Sequence, residues 1–115
     1  MTAPHEFATD YWPLAGVIPG QVVVIARWRT TPKGRDLVHA ALPALAEASL
    51  AEPGCLGYQA LTPTGTTGGD IVLIERYADR DAFEAHRASP HFQQIVLTDI
   101  APHLHTRDVT VCMTT

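Results

Sequence analysis

Within residues 75–92, ERYADRDAFEAHRASPHF, a glutamate, a tyrosine and two histidines fall close together: Glu75, Tyr77, His86 and His91. Carboxylate and imidazole groups exchange protons near neutral pH when their surroundings tune them. The chemistry on offer is general acid–base work. Whether it is used depends on where each side chain points, since a glutamate–histidine pair between a strand and a helix serves equally well as a structural strut.

Alternation along a strand sets those directions. IVLIERY (71–77) reads as a strand with Ile71, Leu73, Glu75 and Tyr77 on one face and Val72, Ile74 and Arg76 on the other. Asp79 is a good N-cap for a short helix over 80–88, on which Ala82, Phe83 and His86 share a side. Phe83 must point inward and carries His86 with it. A Glu75 on the helix-facing side of the sheet then meets His86, the partner that a buried carboxylate needs. His86 lies in the last turn of its helix, where the dipole favours positive charge. His91 lies in the first turn after Ser89–Pro90, where the dipole disfavours it. The expectation is a charged His86 against Glu75 and a neutral His91.

The rest of the chain supplies the frame. QVVVIARWR (21–29) is a nearly continuous apolar strand of the kind covered on both faces. Its residues Val23, Ile25, Arg27 and Arg29 oppose Val22, Val24, Ala26 and Trp28. TTPKGRD starts a helix, with a threonine cap and Pro32 in the first turn, and Pro43 is expected to kink it. EPGCLGYQALTP turns at Pro53–Gly54 into a second strand near 55–62. The loop TPTGTTGGD closes a hairpin onto the third strand, and TRDVTVCM is the last strand. Phe92, Ile95, Val96, Asp99 and Ile100 mark one face of a helix that stops before Pro102. Strand, helix, strand, strand, helix broken at Ser89–Pro90, strand is the ferredoxin-like split β-α-β order of the α+β class. Helices cover one face of such a sheet. The other face also needs cover, and a second copy of the sheet is the simplest cover, giving a homodimer.

A chain of 115 residues makes one domain. Residues 1–20, punctuated by Pro4, Pro13, Gly16, Pro19 and Gly20, read as an irregular arm before a domain over 21–115. Phe7, Tyr11 and Trp12 are costly to leave in water, so the arm is expected to dock. The net charge of −4 gives no electrostatic case for nucleic acid or an anionic membrane. No apolar run reaches the length of a membrane span, and the N-terminus lacks a basic stretch ahead of an apolar one, which makes the cytoplasm the default compartment. Cys55 and Cys112 then read as free thiols.

GDIVLIERYADRDAFEAHRASPHF, with EPGCLGY upstream, resembles the antibiotic biosynthesis monooxygenase (ABM) family, in particular its small quinol-monooxygenase-like members. The family pattern is a strand ending in E-x-(W/Y), an A-F/L-x-x-H helix and a second helix opening S/T-P-H-F. The chain matches at Glu75, Tyr77, Ala82, Phe83, His86, Pro90, His91 and Phe92, and the resemblance spans about 21–113. It implies a dimeric α+β barrel with a pocket between helices and sheet in each protomer. It implies oxidation of a phenol or hydroquinone to a quinone by molecular oxygen, with no cofactor, neither flavin nor metal. Carried across, Tyr77 would line the pocket where the family often has tryptophan. His86 and Glu75 would form a polar pair at its wall, and His91 would be a candidate base. Arg27, taken as pocket-facing, would hold a phenolate or developing oxyanion, with a salt bridge at the sheet end as the structural alternative. Phe83, Tyr77, Leu73 and Ile25 would give apolar walls that suit a flat aromatic substrate.

Other readings compete. The haem-degrading relatives use an Asn, a Trp and a His whose positions fall here at Arg27, Tyr77 and Val96, and Val96 cannot ligate iron. Isomerases of a small phosphorylated carbonyl compound share the Glu, His and P-H-(F/Y) pattern and would need Arg27, Arg29 and Arg87 for the phosphate. A metal held by His86, His91 and Glu75 has no recognised ligand spacing. A small barrel of this kind can also bind a ligand or act as a stress protein without turnover, because fold does not fix function.

Overall fold

β-Branched residues dominate the first strand, VVVIARWRT, and their stiff side chains pack well on a pleated surface. The computed structural model describes residues 16–65 and 69–115, so Phe7, Tyr11 and Trp12 of the expected arm lie outside the described residues. The elements are β1 (Val22–Thr30), α1 (Arg35–Leu50), β2 (Cys55–Leu61), β3 (Asp70–Tyr77) and α2 (Arg80–Ala88). A π-helix (Phe92–Ile100), a single 3-10 turn (Ala101–His103) and β4 (Leu104–Met113) follow. The sheet order is β2-β3-β1-β4 with antiparallel neighbours throughout. This is the ferredoxin-like α+β arrangement that the element order predicts.

Register decides which residues share the helix side. Val24 pairs with Glu75, Ala26 with Leu73 and Trp28 with Ile71. All six are buried, and Val38 and Leu45 of α1, with Val96 and Ile100 of the π-helix, close over this face of the sheet. Full burial of each large apolar side chain contributes roughly 1.5–3 kcal/mol. On the opposite face Ile25 is 46% exposed. Arg27 and Arg29 both reach Asp70, at 3.1 and 3.2 Å. Those bonds, Arg29's first, hold the Asp70 carboxyl below its usual range.

Helix boundaries follow the sequence signals in α2 and depart from them elsewhere. Asp79 accepts a hydrogen bond from the Ala82 backbone N–H at 2.8 Å, which caps α2. Ser89 Oγ donates to the His86 carbonyl and accepts from the Phe92 N–H, so Ser89 closes one helix and opens the next. α1 begins at Arg35, later than expected, with Pro32 in the preceding turn, where Thr31 Oγ1 accepts from the Gly34 N–H. It runs unbroken through Pro43. The stretch after Phe92 winds as a π-helix, a form that is rare and often found at functional sites.

Cys55 is buried, Cys112 is exposed, and both are free thiols. No helix among the described residues is long and apolar enough to cross a membrane.

Candidate active site

Glu75 is placed by β3, on the helix side of the sheet beside Val24. The residue is 6% exposed and lines a pocket between sheet and helices. β1 supplies the floor through Val24, Ala26 and Trp28, and β2 adds Tyr58. Phe83 and His86 of α2 and Phe92 and Val96 of the π-helix form the opposite wall, with Arg87, Arg107 and Val109 at the mouth. The cavity measures about 50 Å³, room for water or dioxygen. That is below the range of preformed pockets for small organic ligands, about 300–1,000 Å³, so an aromatic ring enters only as side chains at the mouth move aside.

Burial disfavours the charged form of Glu75 and raises its pKa to about 7. The Tyr77 hydroxyl, donating to Oε1 at 2.5 Å, and the positive charge of Arg107 act against that rise. Tyr77 and Tyr58 are held above the ordinary phenol range by burial first and the nearby Glu75 charge second, so both stay protonated. Burial raises the Cys55 thiol to about 11, which leaves it an unreactive neighbour.

His86 is 2% exposed, and burial lowers its pKa against the opposing pull of Glu52. The expected charged His86 is therefore corrected: burial outweighs the pull of Glu52. Its principal partner is also corrected. His86 Nδ1 lies 2.7 Å from Glu52 Oε2, whereas Nε2 lies 3.7 Å from Glu75 Oε1, beyond hydrogen-bond range. His91 Nε2 lies 2.6 Å from the same Glu52 oxygen. A neutral His86 that donates through Nδ1 to Glu52 presents its Nε2 lone pair toward Glu75. Ring contacts with Tyr77 at 5.1 Å, Phe92 at 5.3 Å and Tyr58 at 5.8 Å hold the imidazole in place.

The structure thus brings together Glu75, His86 and Phe83 of the residues singled out from the sequence, and attaches His91 to them through Glu52. It moves four others. Tyr77 and Leu73 are fully buried behind the pocket rather than lining it. Tyr77 supports Glu75 and packs on Phe83 at 5.5 Å. Ile25 and Arg27 lie on the far face of the sheet, so Arg27 cannot meet a ligand in this pocket. The cations at the pocket are Arg87 of α2 and Arg107 of β4, the latter opposite Trp28 in register with its guanidinium 5.9 Å from the Phe92 ring.

Glu52 went unremarked in the sequence because it lies 34 positions from His86 and 39 from His91. The available signal is EPG, a turn that brings the end of α1 to α2. A Cβ on Gly54 would collide with Cβ of Ala82, so only glycine permits the approach that seats Glu52 beside His86.

Glu52, His86 and His91 also offer metal-ligand atoms within 4.8 Å of one another. Their short spacings, 2.7 and 2.6 Å from one shared oxygen, are those of hydrogen bonds. Ligands about 2.0–2.1 Å from a tetrahedral ion stand about 3.3 Å apart, so a metal would have to spread this group.

A ferredoxin-like sheet with a single-sided helical cover and a proton-handling pocket beneath it is a framework for small-molecule chemistry. The antibiotic biosynthesis monooxygenase family model matches residues 21–97, and the chain belongs to that family. Rv0793 of Mycobacterium tuberculosis, provisionally named a monooxygenase, is 41% identical over 71 residues, which cover 62% of this chain and 68% of that protein. The solved structure of Rv0793 superposes with a TM-score of 0.74 at 35% identity, covering 81% of this chain and 93% of the other. A crystal structure of an antibiotic biosynthesis monooxygenase gives 0.72 at 32% identity, covering 82% and 96%. A conserved protein from Methanosarcina mazei Go1 gives 0.77 at 19% identity, covering 83% and 93%, and shares the fold.

Proposed function

We propose that the protein is a cofactor-independent monooxygenase that oxidises a phenol or hydroquinone to a quinone with molecular oxygen. The observation that carries this reading is Glu75: a carboxyl on the pocket wall, raised to about 7 by burial and held by the Tyr77 hydroxyl. A group so placed can both take and return a proton near neutral pH.

For a phenol with hydrogen on the ring carbon opposite its hydroxyl, the Glu75 carboxylate takes the hydroxyl proton. Arg107 and the indole and aromatic walls hold the phenolate. One electron passes from phenolate to dioxygen, and the radical pair joins at the ring carbon to form a C–O bond. Glu75 returns its proton to the outer peroxide oxygen. The ring C–H proton then leaves to Glu75 as the O–O bond breaks, and it joins the departing hydroxide as water. The ring loses four electrons, dioxygen gains four, and one oxygen atom stays in the quinone. The pocket has room for dioxygen, and its aromatic lining suits a ring admitted by movement of the side chains at the mouth.

The assembly proposed for this function is a homodimer with the two sheets face to face. Its support is the outer sheet face, where Ile25 is exposed and Val23, Val72 and Ile74 are only half-buried.

Oxygen uptake by metal-stripped protein, given naphthohydroquinones and anthrone-like phenols, tests the reading. Uptake well above protein-free autoxidation, unaffected by chelator and lost in Glu75→Gln, is expected. Uptake no faster than autoxidation across the panel contradicts it. The isomerase reading would then be tried with sugar phosphates, which Arg87 and Arg107 are placed to meet, whereas Arg27 and Arg29 are held by Asp70 on the far face.

A further inference from the structure

Four side chains stand in a row from the pocket wall toward the protein surface. Glu75 Oε1, on the pocket wall, lies 3.7 Å from His86 Nε2. The other nitrogen of the same ring lies 2.7 Å from Glu52 Oε2, and that oxygen lies 2.6 Å from His91 Nε2. From His86 outward the exposure rises along the row. His86 has a side-chain exposure of 2%, Glu75 8%, Glu52 15% and His91 19%. The chain therefore rises from a buried pair to two groups that touch water. His91 and Glu52 do not line the pocket, so neither is explained by substrate contact.

The geometry points to a proton path from Glu75 through His86 to Glu52 and His91, by which the pocket carboxyl exchanges protons with solvent while substrate fills the mouth. An imidazole suits such a path because it can accept on one nitrogen and release from the other. Glu75 and His86 are one side-chain adjustment from hydrogen-bond contact, and the two remaining links are already short. The titratable groups around the pair are few. Cys55 and Tyr58 face it from β2, Tyr77 from β3, and Arg107 from β4. The cysteine and the two tyrosines hold their protons in the neutral range, so none of the three offers a second exit.

The inference rests on the proposed reaction. That reaction needs the Glu75 carboxylate, and a bound aromatic blocks the direct way to water past Phe83, Phe92 and Arg107. Glu52 and His91 act through His86 and are positioning residues rather than catalytic ones. The predicted consequence is separable from a packing role. Glu52→Gln keeps the shape of the side chain and a hydrogen-bond acceptor for His86, but it cannot carry a proton between the two rings.

Two measurements decide the matter. At pH 6, where most Glu75 carboxyls carry a proton when the phenol binds, the turnover number of Glu52→Gln should fall about tenfold with KM little changed, and the slowing in heavy water should grow. Glu52→Asp should recover part of the loss. By NMR, exchange of the His86 ring proton with solvent should be slower in Glu52→Gln and in His91→Gln than in the wild type, with a non-oxidisable phenol ether in the pocket. A Glu52→Gln protein with wild-type turnover number, isotope effect and ring-proton exchange overturns the path. If the wild type turns over no phenol, the reaction fails, and ring-proton exchange in the three proteins still decides whether the path exists.

Discussion

Glu75 shows how burial turns an ordinary carboxyl into a group usable at neutral pH. The neighbouring hydroxyl of Tyr77 stabilises the charged form, and burial outweighs it. In Tyr77→Phe that hydrogen bond is absent, so the pKa of Glu75 should rise further. The ascending limb of the turnover–pH profile, expected near 7 in the wild type, should move to higher pH. An unmoved limb would show that another group sets it. The same shift has a cost in stability. The folded protein keeps the Glu75 proton up to about 7, whereas an unfolded chain releases it near 4.5. Between those values the folded state binds more protons, so stability falls as pH rises, by roughly 3 kcal/mol at most. His86 acts in the opposite sense, because its lowered pKa makes stability rise with pH up to about 6.5. Melting curves should therefore show Glu75→Gln gaining on the wild type between pH 5 and pH 8. Equal differences at the two pH values would show that the carboxyl is not buried as described. At this scale Glu75, His86 and Phe83 were legible, because strand alternation and helical spacing report direction. Glu52 was not, since no local period links a turn residue to a histidine on another helix.

At the scale of elements, close approach positions the site. α2 lies against the turn at Gly54, which has no side chain where Ala82 needs room. Gly54→Ala should destabilise the fold by about 1–3 kcal/mol, the usual cost of overpacking, and should lengthen the His86–Glu52 contact. Thermal unfolding checks the first effect, and restoration of stability by Ala82→Gly in the same chain would trace it to this contact. No change in melting temperature would contradict it. The strand pattern also shows where sequence reasoning stops. VVVI at the start of β1 is apolar on both faces, so alternation sorts its residues into two sets without saying which set meets the helices. The end of the strand carries the answer. Trp28 is buried, and its neighbours Arg27 and Arg29 sit on the far face with Asp70. The π-winding was equally hidden: FQQIVLTDI has an apolar spacing that an α-helix would also satisfy. Its wider turn is seen in the Ala101 N–H, which bonds to the Val96 carbonyl.

At the scale of the molecule, a small chain holds a pocket by covering one sheet face with helices and leaving the other open. The open face carries Ile25 with Val23, Val72 and Ile74 around it. Ile25→Asp would place a charge in the centre of the proposed sheet-to-sheet contact. Light scattering after size exclusion should find a dimer in the wild type and a monomer in the variant, whereas a wild-type monomer would contradict the dimer. The account as a whole turns on whether this pocket inserts oxygen into a phenol. The most direct measurement is turnover of a naphthol-type phenol by metal-stripped protein under 18-oxygen gas, followed by mass spectrometry of the quinone. One labelled oxygen per quinone, absent with Glu75→Gln, is the predicted result. A quinone without label, formed alongside hydrogen peroxide, or no quinone above the protein-free rate, would contradict it.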